Sequence, residues 1–132
     1  MSERMIDHMG LSAADFARML EFYEKALAPL GIKTMMRFGK EVTGDFEVAG
    51  LGREKPFLWL AHAGQTTPRM HIAIRADDRG EVDAFYQAAI AAGGTDNGTP
   101  GLRPHYHENY YGAFVLDPEG HNLEVVCHKA AQ

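Results

Sequence analysis

Two stretches of the chain repeat one pattern. MIDHMGLSAADFARMLEFYEKALAPLGI, Met5 to Ile32, and RMHIAIRADDRGEVDAFYQAAIAAGGT, Arg69 to Thr95, both begin with a short apolar-rich run that contains a histidine. A polar break, an amphipathic segment with Phe-Tyr and a glycine follow in each. Self-similarity at a fixed spacing is typical of a repeated supersecondary unit. The stretch therefore predicts a duplicated fold.

One offset of 63 residues aligns the two stretches without a gap. It carries His8 onto His71 and Gly31 onto Gly94, and it superposes the two Phe-Tyr pairs. The chain of 132 residues is predicted to be a single domain, with module one at about 1–65 and module two at about 66–132.

Hydropathy patterning predicts the order βαβββ in each module. Alternation over 5–11 and 69–75 predicts two strands whose histidines lie on the face opposite to the apolar side chains. An amphipathic helix follows each strand, with N-caps expected from Ser12 or Asp15 and from Asp77 or Asp78. The further strands are expected at 32–39, 44–50, 56–63, 95–99, 110–116 and 121–128.

Composition narrows the class of partner. The net charge is −5, and the 13 Lys and Arg residues are scattered, which argues against a nucleic-acid or membrane partner and favours a small molecule. No apolar run is long enough to cross a bilayer, and the first ten residues lack a signal-peptide core. A single cysteine, Cys127, excludes an intrachain disulfide and suits a cytoplasmic location.

Three side chains are predicted to form a metal site. Glu124 lies mid-strand on the face opposite Leu123 and Val125, and His8 and His71 are expected on the same kind of face. Two imidazoles and one carboxylate can hold a divalent metal ion and leave coordination positions open. The alternatives are that each histidine is a hydrogen-bonded core residue, or that Glu124 pairs with an arginine such as Arg75 or Arg103.

The chain resembles the vicinal oxygen chelate superfamily, which includes glyoxalase I, bleomycin-resistance proteins and extradiol dioxygenases. The motifs that carry the resemblance are IDHMGL, FYEKALAPLG, MHIAI and FVLDPEGHNLEVV, in this order. The resemblance implies an α+β fold in which two βαβββ modules form a cup-shaped, mostly antiparallel eight-stranded sheet with helices on its outer face. It also implies that His8, His71 and Glu124 are ligands of a metal ion inside the cup.

One departure from the glyoxalase I pattern concerns the ligand set. In such enzymes the last strand of module one supplies a fourth ligand, a glutamate, whereas here that strand reads PFLWLAHA and has no carboxylate. The remaining His-His-Glu set resembles the iron site of extradiol dioxygenases. The metal stays open among Fe, Zn, Ni and Mn, and the reaction stays open between a lyase or isomerase and an extradiol-type dioxygenase.

The resemblance also supplies an alternative function and a quaternary structure. Bleomycin-resistance proteins sequester a ligand without catalysis, although such binders usually lack the ligand residues that this chain keeps. A homodimer is expected. In a swapped arrangement of modules, His8 would come from one subunit and His71 with Glu124 from the other.

The loop GLRPHYHENYYG, Gly101 to Gly112, is the second candidate region. It is unusually rich in aromatic and titratable residues, and loops on a rigid scaffold often carry function. The alternative is a surface loop that packs on the sheet or on a second subunit. The catalytic candidates in it are His105, His107 and Tyr111. The candidates for substrate binding are Arg103, Tyr106 and Tyr110 in the loop, and Trp59 in module one.

Overall fold

The computed structural model describes residues 5–44 and 46–131, and it contains the βαβββ order twice. Module one consists of β1 (Met9–Ala13), α1 (Phe16–Leu27), β2 (Lys33–Phe38), α2 (Lys40–Thr43), β3 (Val48–Gly52) and β4 (Pro56–His62). Module two consists of β5 (His71–Arg75), α3 (Arg79–Ala91), β6 (Thr95–Leu102), β7 (Tyr111–Leu116) and β8 (Asn122–Cys127). The predicted α+β class and duplication are confirmed.

The two long helices begin at equivalent aspartates. The Asp15 carboxylate accepts a hydrogen bond from the backbone N–H of Arg18, and the Asp78 carboxylate accepts one from Glu81. These are N-cap bonds, which satisfy backbone donors that the first turn of a helix leaves free. At its other end α1 passes through a 3-10 turn and stops at Gly31, whose φ of 76° a glycine adopts without strain.

Each module folds into its own four-stranded sheet. The strand orders are β1-β4-β3-β2 and β5-β8-β7-β6, with β1–β4 and β5–β8 parallel and the other pairs antiparallel. The register sets Leu11 beside Leu60 in the first sheet and Ile72 beside Leu123 in the second. These buried side chains form the core with the helices, so each sheet has one face packed on a helix and one open face.

The two sheets do not join within one chain. Among the described residues no strand of one sheet is hydrogen-bonded to a strand of the other, so β1 and β5 are both edge strands. The modules meet instead through α1, which packs against α3. The eight strands of the expected cup-shaped sheet thus form two four-stranded sheets within one chain, and the helices form the contact between the modules.

Turns reach across from each module to the helix of the other. The Tyr23 hydroxyl of α1 donates a 2.6 Å hydrogen bond to Asp117 in the turn between β7 and β8. In the same turn, the Glu119 carboxylate accepts from the backbone N–H groups of Ala14 and Asp15, just before α1. In the opposite direction, Arg53 follows β3 and lies 3.3 Å from Asp77, just before α3.

Two predicted boundaries in module one were wrong. His8 precedes β1 and is exposed, because the strand begins at Met9. The strand expected at 44–50 begins only at Val48. Gly44, the first residue expected in it, instead ends α2 with a φ of 86°, and residue 45 lies outside the described residues.

No helix in the described part of the chain is long and apolar enough to span a bilayer.

Candidate functional site

Glu124 is a buried carboxylate at the centre of the second sheet. It lies mid-strand in β8, between Ala73 of β5 and Phe114 of β7, and its side chain is on the open face. Even so it is only 1% exposed. A buried carboxylate is costly unless donors or a cation compensate for the lost hydration. Its polar partners are His71 and Tyr110, and neither is a permanent cation.

His71 reaches Glu124 from the edge of the sheet. It is the first residue of β5, and its ring lies tilted against Phe114 at a centroid distance of 6.3 Å. Its Nε2 atom is 2.7 Å from Oε1 of Glu124, while the side chain as a whole remains 56% exposed. The imidazole therefore contacts the buried carboxylate through Nε2 and is itself exposed to solvent on the open face.

Tyr110 covers the other oxygen of Glu124. Its hydroxyl donates a hydrogen bond to Oε2, and the backbone carbonyl of Tyr110 accepts a 2.7 Å bond from the N–H of Arg103. Burial raises the pKa of the Tyr110 phenol far above its usual value, and the hydrogen bond and charge of Glu124 raise it further. The phenol therefore stays protonated and remains a donor near neutral pH.

Tyr110 belongs to a cluster of aromatic rings, which we call the loop cluster. It consists of His105, Tyr106, His107, Tyr110 and His128, with centroid distances between contacting rings of 4.2 to 5.5 Å. Of the predicted residues in the 101–112 loop, Tyr110 contacts Glu124, and His105, Tyr106 and His107 are linked to it through ring contacts of this cluster. His128 was missed by the sequence analysis, because it lies just after β8 and nothing in its local pattern marks it.

Hydrogen bonds determine the tautomers of two histidines in the loop cluster. The backbone N–H of Asn109 donates to Nδ1 of His107 at 3.1 Å, so in a neutral imidazole Nε2 carries the proton. That Nε2 lies 2.8 Å from Nδ1 of His128 and donates to it. Burial lowers the pKa of His128, and the nearby His107 and Arg75 lower it further.

Arg103 supports the loop rather than an open pocket. Its guanidinium donates to the carbonyls of Gly101 and Thr99, both at 2.9 Å, and lies over the ring of Phe114. These contacts hold the guanidinium against the backbone at the end of β6. The predicted contact of Arg103 with substrate stays a prediction, and the structure assigns the residue a part in holding the loop's shape.

Three predicted site residues lie away from Glu124. Tyr111 is on the helix-facing side of β7, where its hydroxyl donates a 2.7 Å hydrogen bond to Asp83 of α3. Its neighbour Tyr110 precedes the strand, and the alternation of β7 directs Tyr111 to the opposite face. His8 is next to Asp7, with Nδ1 of the imidazole 2.7 Å from the carboxylate. Trp59 belongs to the other sheet.

The open face of the first sheet carries an aromatic surface. The six-membered ring of Trp59 lies so close over Gly50 that a Cβ on that glycine would be 2.8 Å from it. Phe38 is nearly parallel to the indole, at 9° and a centroid distance of 6.5 Å. Both rings are only partly buried in the chain. A flat apolar group or a second subunit could cover them.

The described residues of one chain supply part of the predicted metal set. An imidazole nitrogen and a carboxylate oxygen lie 2.7 Å apart, and both are donor types that suit a divalent transition metal. No group of three His, Cys, Asp or Glu side chains arranged to hold a metal ion occurs in the described residues. His71 and Glu124 thus fit such an ion as two ligands, and His8 of the same chain does not complete them.

A groove elsewhere on the molecule does not include this site. It has a volume of about 500 Å³ and lies where the start of α1 meets the turn between β7 and β8, with Arg69, Asp117 and Glu119 in its lining. Its lining is used in the contacts between modules. The chemistry of the site instead centres on Glu124, a buried carboxylate whose polar partners in the described part of the chain include no Lys or Arg.

The fold and the open sheet faces define an α+β protein built from paired βαβββ modules, and comparison with known proteins gives the family. The model of the Glyoxalase/Bleomycin resistance protein/Dioxygenase superfamily matches residues 5–125. The chain therefore belongs to this superfamily. A search of curated proteins found no match.

Solved structures share the fold at low sequence identity. A glyoxalase/bleomycin resistance protein from Albidiferax ferrireducens T118 is similar with a TM-score of 0.75 and 22% identity, covering 94% of this chain and 99% of that one. A glyoxalase/bleomycin resistance protein/dioxygenase family enzyme from Burkholderia phytofirmans PsJN gives 0.68 and 19%, covering 94% and 98%. Glyoxalase I from Zea mays gives 0.71 and 21%; 96% of this chain corresponds to 45% of that one.

Proposed function

We propose that the protein is a small metal-dependent enzyme of the glyoxalase/dioxygenase type, which binds neighbouring oxygens of a small substrate on a divalent ion. The observation that carries this proposal is Glu124. It is 1% exposed on the open face of a sheet, bonded to His71 and Tyr110, and has no Lys or Arg partner among the described ion pairs. A cation next to His71 would compensate for burying that charge.

His71 and Glu124 are the ligands that this chain brings together, through Nε2 and Oε1. When bound, a divalent ion would supply Lewis acidity for the substrate oxygens. Of the loop cluster, His105 and His107 remain the candidates for moving a proton. Tyr106 and Tyr110 remain candidates for contact with the substrate, since their rings stand 4.8 Å apart beside the site.

We further propose that the active form is a homodimer whose sites are completed between subunits. Two observations support it: His8 lies apart from the His71–Glu124 pair, and β1 and β5 both present free edges. Unpaired strand edges are ready to associate with another chain. In this arrangement the partner subunit's His8 supplies the third ligand, and its Trp59 faces the same substrate.

The ligand set limits which metal the site would hold, and the metal would indicate the type of reaction. In β4, the expected position of a fourth carboxylate is occupied by apolar residues between Leu58 and Ala61, so a three-ligand site is proposed. Iron in that site would indicate an extradiol-type dioxygenase, and Zn, Ni or Mn a lyase or isomerase.

The single cysteine, Cys127, is buried and unpaired, which supports the cytoplasmic location expected from the sequence.

Metal content tests this function directly. Protein purified without a His-tag or chelators is expected to contain about one divalent ion per chain, measured by plasma mass spectrometry. Glu124→Gln keeps the shape of the side chain and should lose the ion, whereas Glu108→Gln, an exposed acid in the adjacent loop, should retain it. Stoichiometric metal in Glu124→Gln would refute the assignment.

Mixing two inactive variants tests the shared site. His8→Ala and Glu124→Gln each damage every site of their own homodimer, but a mixed dimer holds one site with all three ligands intact. After denaturation and refolding of an equimolar mixture, about one quarter of the wild-type metal content should return, because a twofold dimer distributes subunits at random. No recovery would show that each site belongs to one chain.

A second function is favoured by one observation, the half-exposed Trp59 and Phe38 on the open face of the first sheet. Such a surface suits a non-catalytic protein that sequesters a flat ligand, as in bleomycin resistance. The two functions differ in their need for metal. Binding of aromatic ligands that persists unchanged after removal of metal by a chelator would support sequestration, and loss of binding would support the enzyme.

A further inference from the structure

The two oxygens of Glu124 have different partners. Oε1 lies 2.7 Å from Nε2 of His71, on the side where that imidazole reaches solvent. Oε2 accepts the hydrogen bond from the Tyr110 hydroxyl. A carboxylate accepts through both oxygens, and a donor at one of them limits how the other can turn.

Tyr110 is itself held from several directions. Its carbonyl accepts from the N–H of Arg103, its own N–H donates to the carbonyl of His107 at 3.2 Å, and its ring contacts Tyr106, His107 and His128 edge-on. A hydroxyl on a ring held in this way is a fixed donor. The contact with Glu124 is thus built into the loop and is not the chance position of a free side chain.

We propose that Tyr110 is a positioning residue, whose phenol occupies Oε2 of Glu124 so that Oε1 alone is presented beside Nε2 of His71. This inference rests on the proposed function for its consequence, namely that Glu124 binds the ion through one oxygen. Partners that orient metal ligands contribute to affinity as well as to geometry. Tyr110 is then required for metal binding without touching the ion.

Tyr110→Phe with Tyr111→Phe as a matched control tests the proposal. Each variant removes one hydroxyl that donates to a carboxylate, but that of Tyr111 is bonded to Asp83 on the opposite face. Binding of Co²⁺ to the full-length dimer reports both affinity and, through its visible absorption spectrum, coordination geometry. Tyr110→Phe should weaken Co²⁺ binding by about 10- to 100-fold and alter the spectrum, while Tyr111→Phe should match the wild type.

A Tyr110→Phe variant with wild-type affinity and spectrum would overturn the proposal. A measurement on metal-free protein separates this failure from a failure of the proposed function. With ¹³C-labelled glutamate, the carboxyl resonance of Glu124 can be assigned from its loss in Glu124→Gln. It should move in Tyr110→Phe and stay in Tyr111→Phe. If the wild type binds no Co²⁺ and the resonance still moves, the metal assignment fails and the positioning role of Tyr110 stands. An unmoved resonance refutes that role in either case.

Discussion

Among the described contacts between a basic side chain and a carboxylate, the one between His71 and Glu124 is the one in which a partner is withdrawn from solvent, with Nε2 and Oε1 2.7 Å apart and the carboxylate 1% exposed. In the other described ion pairs both partners are largely solvated. Exposed pairs of that kind contribute little to stability. A buried carboxylate among apolar strands is costly and is therefore a sign of function, not of stability.

Glu124→Leu is expected to abolish metal binding and to leave the metal-free protein as stable as the wild type or more stable, by up to about 2 kcal/mol. Leucine removes the buried carboxylate, while the imidazole of His71 is 56% exposed and Tyr110 is only partly buried, so both former partners remain within reach of water. Chemical denaturation of chelator-treated protein measures the difference. A loss of more than about 1 kcal/mol would mean that Glu124 supports the fold.

Tyr23→Phe is expected to destabilise the protein by about 1–3 kcal/mol. The variant leaves Oδ2 of the buried Asp117 without the hydrogen bond that Tyr23 donates at 2.6 Å. Tyr106→Phe, which removes the hydroxyl of an exposed ring, is the control and should leave the free energy of unfolding unchanged. Urea denaturation followed by circular dichroism compares the two variants with the wild type. A Tyr23→Phe variant as stable as the wild type would show that this hydrogen bond does not stabilise the contact between the modules.

Stability is expected to fall as the pH rises above about 10, the usual pKa of tyrosine. Burial raises the pKa of Tyr23 well above that value, and Asp117 raises it further. The folded protein then keeps a proton that the unfolded chain releases, so alkali favours unfolding. Urea midpoints measured between pH 8 and 11 should fall less steeply for Tyr23→Phe than for the wild type. Identical slopes would contradict the assignment to Tyr23.

His128 is expected to titrate below about 6.5, the usual pKa of histidine. Burial is the largest cause of the lowered pKa of His128, and the neighbouring His107 and Arg75 lower that pKa further. The unfolded chain therefore takes up this proton before the folded one, and the stability contributed by the neutral pair is lost as the pH falls below about 6.5. An NMR titration should show the pKa of His128 rising in His107→Ala. It should not change in His105→Ala, and a rise in both variants would contradict a specific pair.

Gly50→Ala is expected to displace the indole of Trp59, because the new Cβ would lie 2.8 Å from ring carbons. Trp59 is the chain's one tryptophan, so its fluorescence emission reports the change without ambiguity. The control is Gly10→Ala on the neighbouring strand β1, where a Cβ meets nothing within 4 Å. If Gly50→Ala leaves the emission unchanged, the indole does not lie over Gly50 in solution.

The sequence predicted the elements that depend on local patterning. The 63-residue offset aligned Asp15 with Asp78, and both cap helices. Alternation in β8 predicted that Glu124 lies opposite Leu123 and Val125, and the register of the sheet confirms that it does. Side-chain alternation and helix capping are properties of neighbouring residues, so one sequence is enough to reveal them.

Features that depend on contacts between distant parts of the chain could not be predicted from the sequence. Alternation indicates which face of a sheet a strand residue occupies, but it does not indicate which strand edges pair. The separation of β1 from β5 was therefore not predictable. Tyr110 and Tyr111 are adjacent, and their opposite directions follow from where β7 begins. The contact of His107 with His128 depends on how the loop closes over β8, and no local signal reports that.

The reciprocal contacts of the two turns bear on the history and the folding of the duplicated chain. Glu119 of module two bonds the backbone at the entry to α1, and Arg53 of module one lies against Asp77 at the entry to α3. Each half thus contacts the chain just before a helix of the other, and Tyr23 adds a bond from the interior. Modules linked in this way are expected to lose their structure together, as one cooperative unit. A half-length chain could make contacts of this kind only with a second chain, so the duplication turns an association between chains into one within a single chain.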